Sequence, residues 1–553
     1  MTTLNTPLTS LALAASQWPK AAVFKTPIID DHKNPIAPHI IGYNTITYTE
    51  FHNYVETSAR YWYAKLSEDG IPMGSVVGYC SRGGSYIDFV HIYGLSKVGY
   101  VPQLFTALPQ SIEVIKTLLE KSKAKALLYQ EGHFHSARTL AGPDLKVYPI
   151  FIDLPTTQAS GALPDLPEPQ PTDIYCVLHS SGSTSGMPKL VPYTFRFTET
   201  LLRKADAIAS THPSSVRSSP DVISWVGSAC HVSGFSLLIE VMRTGSCIIQ
   251  QTCIPPGADE LKSMFNLGGL TRVFFSTPSL SRFLKASRTD PQLLDLLKTS
   301  KAISHGGAAI LSDDLKWARL NRLNLVDGYG STECGVYVMR SGPSQVGTPE
   351  HAYLRPLQLL EEDGRPLTRY WFAPVTKIDG NVVLKEFVVL QGSADLPHPS
   401  LLGGQEDFHT GDLFEEVKPG EYIHRGRVDD WIQMANASNC DARSIEDDAK
   451  ALCRDLELFS DCIAAGSNQP SPVLIVEASV ADTDEEKRLK QDIFKCIVDS
   501  DSHKKRFPHE QIASADAIII VPPGSMTRTV SKGNIRRKAV EDALGDRIRA
   551  VFS

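Results

Sequence analysis

Residues 325–335, LVDGYGSTECG, place an aromatic ring, two hydroxyls and a carboxylate on one glycine-broken turn. Tyr329 offers a face on which a base can stack, with Gly330 and Ser331 beside it. Thr332 offers a hydroxyl to a phosphate, and Glu333 a hard oxygen ligand for Mg2+. A second stretch, HSSGSTSGMPK (179–189), packs Ser180, Ser181, Gly182, Ser183, Thr184 and Ser185 ahead of Lys189. Glycines let backbone N–H groups close on an anion, while hydroxyls and one ammonium add donors and charge. Lys189 follows Met187-Pro188, so the Gly-Lys-Ser/Thr order of a Walker A loop is absent. Taken alone, this composition suits a linker equally well.

Three later stretches tip the balance. FHTGDLF (408–414) supplies Asp412, able to accept from both hydroxyls of a ribose, and HRGRVDDWIQ (424–433) supplies Arg427. PPGSMTRTVSKGNIRRKAV (522–540) sets Lys532 on a loop before a helix. Each is weak singly, because a turn containing Gly-Asp is usually only a turn. Five in one order are specific.

The elements that must carry these loops are short apolar runs alternating with helical patterns. Strands are expected at ALLY (126–129), IYCVLHSS (174–181), VISWVG (222–227), SCIIQQ (246–251), RVFFST (272–277), KAIS (301–304) and LNLVDGYG (323–330). SIEVIKTLLEKSKA (111–124) reads as a helix capped by Ser111, with Ile112, Ile115 and Leu119 on its inner face. Such alternation implies an α/β protein with doubly wound, mainly parallel sheets and binding loops at strand C-terminal ends. ALPDLPEPQPTD (162–173) reads as an exposed connector. Beyond about residue 426 the character changes: VLIVEAS (473–479) and AIIIV (517–521) flank an amphipathic helix around 485–500, a small α+β unit of its own. The expected division is a large domain over 1–426 and a small one over 427–553.

The chain has 553 residues, more than one core usually holds, since single cores stop growing near about 250–300. With 42% hydrophobic and 21% charged residues it is far from disordered composition. A formal charge of -7 argues against nucleic acid as a partner, and the basic runs HKKRF and RRK read as solvated faces. Ten cysteines without a C-x-x-C pair argue against a zinc site and for free thiols in a reducing compartment. No basic residue precedes Lys20, which excludes an ordinary signal peptide. The longest apolar window, 222–242, carries His231 and Glu240 and reads as strand–loop–helix rather than a membrane span. A cytoplasmic location is expected.

The ordered motifs resemble the adenylate-forming superfamily: acyl- and aryl-CoA ligases, luciferases and adenylation domains of nonribosomal peptide synthetases. The likeness runs from ITYTEF (46–51) to Lys532 and is closest to the adenylation domains of fungal synthetase-like carboxylic acid reductases. It implies a large domain that binds ATP and a carboxylic acid, and a small mobile domain that swings about a hinge at Asp429. It also implies that Glu333 holds Mg2+, that Lys532 bridges the carboxylate and the α-phosphate, and that residues 181–189 cradle the departing pyrophosphate. His231 stands where amino-acid-activating relatives carry an aspartate for the substrate ammonium. The expected acid is therefore aromatic or otherwise lacks an α-amino group. A histidine buried for packing and bonded to a backbone carbonyl is the plainer reading of the same residue. SHGGAAI (304–310) resembles the wall of the acid pocket, with Gly306 and Gly307 admitting a flat substrate. The acyl acceptor implied is a carrier-bound phosphopantetheine, with a reductase domain in the native chain. A stand-alone ligase using free CoA and a non-catalytic nucleotide-binding homologue are the alternatives.

Three departures stand out. Ser185 lengthens the phosphate loop by one residue, and Lys532 lies in the order Ser531-Lys532-Gly533 rather than after Ser-Gly. MANASNCDARSIED (434–447) replaces the glycine-rich turn that commonly follows the hinge. Arg528, Arg536 and Lys538 are substitutes for Lys532 only if that alignment fails.

Overall fold

The computed structural model describes the chain apart from residues 1–3, 31–38, 106–111, 133, 153–160, 181–186, 211–219, 343–344, 379–381, 437, 454–455 and 530–532. Two large sheets dominate. The six-stranded sheet runs in the order Lys146–Pro149, Ala126–Tyr129, Val76–Cys80, Val101–Phe105, Ile174–Ser180, Lys189–Thr194. All its pairings are parallel except the last, where Ile174–Ser180 and Lys189–Thr194 run antiparallel. Its inner strands are continuous apolar runs because helices cover both faces. One covering helix, Tyr86–Lys97, starts in a capping box made by Ser85 and Asp88.

The second sheet has thirteen strands among the described residues. Its centre is parallel: Leu325–Ser331, Ala302–Gly306, Arg272–Ser276, Val222–Ser224, Cys247–Ile249 and Ala22–Asp30 lie side by side. Both ends are antiparallel, with His39–Thr47 at one edge and the run from Gly335–Ser341 out to Tyr370–Ile378 at the other. The fold is thus α/β with mainly parallel centres. Helices between strands bury the side chains of Trp62, Trp225, Phe24 and Phe89 in one continuous core.

Residues from Ile432 to Ile548 form a separate core around Asp461–Ala465, Val473–Glu477 and Ile518–Val521. The last two strands are parallel, so the helix Thr483–Val498 lies on the crossover that joins them. Asp482 caps that helix through the N–H groups of Asp484 and Glu485.

Some local readings shift. The helix is Ile112–Ser122, and it buries Val114, Ile115, Leu118 and Leu119, leaving Ile112 half-buried. Ser111 lies outside the described residues. The strand read at 222–227 ends at Ser224. The apolar window does form strand, loop and helix, the helix being Val232–Thr244. Among the described residues no helix is long and apolar enough to cross a membrane. All ten cysteines are unbridged.

Candidate active site

A cavity of about 1710 Å3 opens at the C-terminal ends of Arg272–Ser276, Ala302–Gly306 and Leu325–Ser331. It is lined by Ser180, Lys189, His231, Gly306, Gly307, Tyr329, Gly330, Ser331, Thr332, Glu333, Asp412, Arg427 and Asp429. Ser181, Gly182, Ser183, Thr184, Ser185 and Lys532 lie outside the described residues.

The serine-rich loop joins two paired strands. Ser180 and Lys189 are cross-strand partners at the facing ends of these strands. His179, just before the loop, is half-buried and packs against Phe105 with ring centroids 4.5 Å apart. Its Nδ1–H donates to the Leu104 carbonyl over 2.9 Å, and Nε2 accepts from the Gln103 amide over 3.0 Å. Burial lowers its pKa to about 4, which keeps the ring neutral. The Tyr193 hydroxyl donates to the Thr332 carbonyl over 2.7 Å, tying this hairpin to the turn that carries Glu333.

Opposite lies a polar cluster. The Tyr329 phenol donates to Asp412 Oδ2 over 2.7 Å, while Arg427 reaches Asp412 Oδ1 at 3.4 Å and the Thr410 carbonyl at 3.2 Å. Both oxygens of the Asp412 carboxylate are therefore engaged. Phe387 and Phe414 meet the Tyr329 ring edge to face, at 5.8 and 5.0 Å. Burial, with the Asp412 charge beside it, holds the Tyr329 phenol protonated. His424 completes the cluster, its Nε2 4.0 Å from Asp412 Oδ1 and its ring 5.2 Å from Phe414. Both His424 and Arg427 reach Asp412 because the strand Glu421–Arg427 is bulged: Asp412 pairs with Arg427 but Phe414 with His424. Gly426 takes the left-handed backbone at this bulge, with φ +82.

His231 caps the helix Val232–Thr244, its Nδ1 accepting from the Ser233 N–H over 3.3 Å with the Ser233 hydroxyl 2.8 Å away. It is a helix cap on the cavity wall rather than a core histidine. Gly306 must be glycine for the sheet itself, since a Cβ there would lie 2.5 Å from the Gly328 carbonyl. Around Gly307, at φ +85, there is open space. Val226, Val232, Phe274, Val336 and Tyr337 form the apolar side of the cavity. His305, also at the cavity, is buried between the Thr277 hydroxyl, 3.2 Å from Nδ1, and Asp327 at 3.7 Å.

Asp429 sits in a one-turn helix, Val428–Asp430. Its carbonyl accepts from Arg537 Nε over 3.2 Å, and Arg537 also pairs with Asp430, Glu446 and the Ala464 carbonyl. Arg528 is spoken for by Asp461 at 2.8 Å and Glu477 at 2.7 Å. Lys538 pairs with Asp542. Arg528 therefore serves the small unit's own structure, while the Lys538 pair is an exposed one on a helix surface.

Residues 29–368 match the AMP-binding enzyme family, and residues 429–553 match the AMP-binding enzyme C-terminal domain. The chain belongs to the AMP-binding enzymes. It is similar to the AMP-binding domain-containing enzyme iboA of Amanita muscaria, at 31% identity over 92% of this chain and 95% of the relative. It is similar to the adenylate-forming reductase stbB of Stachybotrys bisbyi, at 24% identity over 84% of this chain but 41% of that protein. Among solved structures, a fatty acyl-adenylate ligase described from E. coli and L. pneumophila shares the fold, with a TM-score of 0.71 at 17% identity over 99% and 98% of the two chains.

Two further residues of this AMP-binding enzyme's cavity are His424 and Tyr337. His424 was visible only as the first letter of HRGR, and Tyr337 lies in a strand with no motif. Tyr337 carries one signal that only the backbone reveals: a left-handed φ of +56 at a bulky residue.

Proposed function

We propose that this enzyme activates an aromatic or other non-amino carboxylic acid as an acyl-AMP, then passes the acyl group to a pantetheine thiol. The first half-reaction, ATP-dependent adenylation of an acid, follows from the family. The observation that carries the finer reading is the joint placement of Tyr329, Asp412, Glu333, Lys189 and His231 around one cavity. At the position where an amino-acid substrate needs a carboxylate, His231 presents an imidazole.

In the proposed sequence a carboxylate oxygen of the acid attacks the α-phosphorus of ATP, and the bond to the β-phosphate breaks to release pyrophosphate. No general base is required, because a carboxylic acid is already ionised at neutral pH. The barrier is repulsion between two anions, so cationic groups at the transferring phosphorus carry the catalysis. Lys189 stands at the end of the serine-rich loop for the departing phosphates, and Lys532 is assigned to bridge carboxylate and α-phosphate. Glu333 makes no hydrogen bond or ion pair among the described residues and faces the cavity. No cluster of three or more ligating side chains occurs among those residues. Glu333 thus fits Mg2+ shared with phosphate and water, as Mg2+ prefers, and the ion supplies charge neutralisation when bound. Tyr329 and Asp412 are assigned to adenine and ribose, Arg427 to the ribose edge, and Asp429 to the pivot between domains at 1–426 and 427–553. In the second half-reaction the thiolate attacks the acyl carbon and AMP leaves.

Acid-dependent ATP–pyrophosphate exchange across aryl, fatty, keto and amino acids tests the first half. Exchange with an aryl or other non-amino acid is expected, and Lys532→Ala should abolish it without unfolding the protein. Exchange confined to α-amino acids would overturn the acid assignment. Thioester formation on a carrier protein but not on free CoA would place the enzyme with reductase-type chains; formation on CoA alone would make it a ligase. Deleting Ser185 asks whether the longer phosphate loop is part of the site, which unchanged ATP use would deny.

A further inference from the structure

The turn that carries Glu333 is seated on the chain that leaves the serine-rich loop. That chain runs through the strand Lys189–Thr194 into the helix Phe195–Ser210. Gly335, at φ +78, closes the turn. A Cβ there would lie 2.8 Å from Leu201 Cδ2 and 3.4 Å from Phe197 Cζ, so the turn rests directly on that helix. A polar bond crosses the same contact, from the Tyr193 hydroxyl to the Thr332 carbonyl over 2.7 Å. On the turn itself the Cys334 N–H donates to Ser331 Oγ over 3.1 Å.

Tyr193 is 1% exposed, and its ring packs on Phe197 with centroids 4.5 Å apart. A phenylalanine would fill the same space, so what the hydroxyl adds is the bond to the turn. Burial above all, with the Glu333 carboxylate among the acidic groups acting on it, holds the phenol protonated as a donor. Thr332 is buried as well, so a missing hydroxyl would take a donor from a carbonyl that water reaches poorly. That carbonyl and the Glu333 N–H belong to one planar peptide, so holding one fixes the plane from which the Glu333 side chain springs. Beneath the turn the helix also carries Lys204, whose pair with Asp395 acts electrostatically on Cys334.

We propose that Tyr193 is a positioning residue for the metal-binding carboxylate: by holding the Thr332–Glu333 peptide it sets the separation between Glu333 and Lys189. Lys189 begins the strand on which Tyr193 lies, so one short stretch of chain carries a phosphate-facing cation and places the ligand of the ion. The proposal rests on the assignment of Glu333 to Mg2+ above and extends it to a residue outside the cavity. Mg2+ demands near-ideal octahedral geometry at about 2.0–2.1 Å, so a carboxylate on an untethered turn holds it poorly. Tyr193 touches neither nucleotide nor ion and acts through the peptide it holds.

The test measures ATP binding by calorimetry, with saturating Mg2+ and with EDTA in its place, beside acid-dependent pyrophosphate exchange. The proteins are the parent, Tyr193→Phe, Glu333→Gln and the double variant, each read well below its melting temperature. Mg2+ should tighten ATP binding in the parent. In Tyr193→Phe, which keeps the ring and its packing, that tightening should fall roughly tenfold, and kcat for exchange with it. Binding in EDTA and KM for the acid should stay within about twofold of the parent. In the Glu333→Gln background the same change should cost little more, because the hydroxyl acts through that carboxylate. Tyr93→Phe removes another buried phenol from the same core and should leave the Mg2+ response unchanged. A lower melting temperature with a parental Mg2+ response in Tyr193→Phe would overturn the proposal, as would equal losses in both backgrounds. A parental Mg2+ response in Glu333→Gln would instead overturn the metal assignment, and absence of exchange with every acid the acid-activation reading.

Discussion

The Tyr329 hydroxyl donates to Asp412 Oδ2 over 2.7 Å, joining the turn that carries Glu333 to the strand Phe408–Lys418. A bond from a neutral donor to a buried carboxylate is among the stronger kinds, worth about 1.5–3 kcal/mol. Tyr329→Phe removes it while keeping the ring against Phe387 and Phe414. KM for ATP should rise about tenfold and the melting temperature should fall. An ATP KM within twofold of the parent would show that Asp412 does not depend on this phenol.

Glu333 invites the opposite outcome. It supports no described hydrogen bond or ion pair, so Glu333→Gln should leave thermal stability nearly unchanged. Pyrophosphate exchange at saturating Mg2+ should drop by about 100-fold or more, the usual scale for losing transition-state charge stabilisation. Mg2+ titrations of both proteins read the effect directly, and exchange at the parental rate would remove Glu333 from the metal's ligands.

Acid should destabilise the large unit through two buried histidines. His91 accepts from the Trp62 indole N–H and donates to the Phe151 carbonyl, both over 2.9 Å, and its pKa, like that of His179, is lowered by burial to about 4. In the unfolded chain both titrate near about 6.5. Stability is therefore complete above about pH 6.5 and declines as pH falls toward 4, because only the unfolded chain takes up the protons. The loss is on the order of 3 kcal/mol per histidine. Urea midpoints at several pH values between 7.5 and 4.5 should fall steadily, and more shallowly in His91→Gln. A flat profile would contradict the buried, neutral state of these rings.

Lys204 and Asp395 form an ion pair at 2.7 Å with side chains 2% and 0% exposed. Tyr370 adds its phenol to the same carboxylate. Lys204→Met should cost about 3–5 kcal/mol, since it strands a buried charge. Adding Asp395→Leu to that variant should recover a large part of the loss. Thermal denaturation of the three proteins checks this, and a double variant no more stable than the single would count against the charge explanation.

Much of this architecture was legible because its strands are uninterrupted apolar runs. ALLY, RVFFS and the strand within LVDGYGS could hardly be anything else once helices alternate with them. What escaped has a physical cause in each case. A two-residue period puts His424 and Arg427 on opposite faces of their strand; one extra residue at Gly426 reverses that, and no alternation count reveals a bulge. Tyr337 depends on a backbone torsion that residue type argues against. A stripe through Ile112, Ile115 and Leu119 is out of phase with the helix, which buries Val114 and Leu118 and leaves Ile112 half-buried, because apolar residues lie on either side of the true stripe. Arg528 looked available until the fold supplied Asp461 and Glu477. The roles given to Ser185 and Lys532 rest on motif order alone.

Arg537 has a mechanical consequence. By gripping the Asp429 carbonyl, Asp430 and Glu446 together, one guanidinium fuses the turn at 429–430 to the body of the small unit. Arg427, just upstream, stays moored to Asp412 and Thr410. Torsional compliance is left to the short backbone between them. Under the proposed pivot at Asp429, backbone φ and ψ angles with a few discrete basins would give the small unit a short menu of poses rather than a continuous arc. Such a change would have to break or carry along two described bonds at the joint, from the Arg427 N–H to Asp430 and from the Trp431 indole to the Arg425 carbonyl.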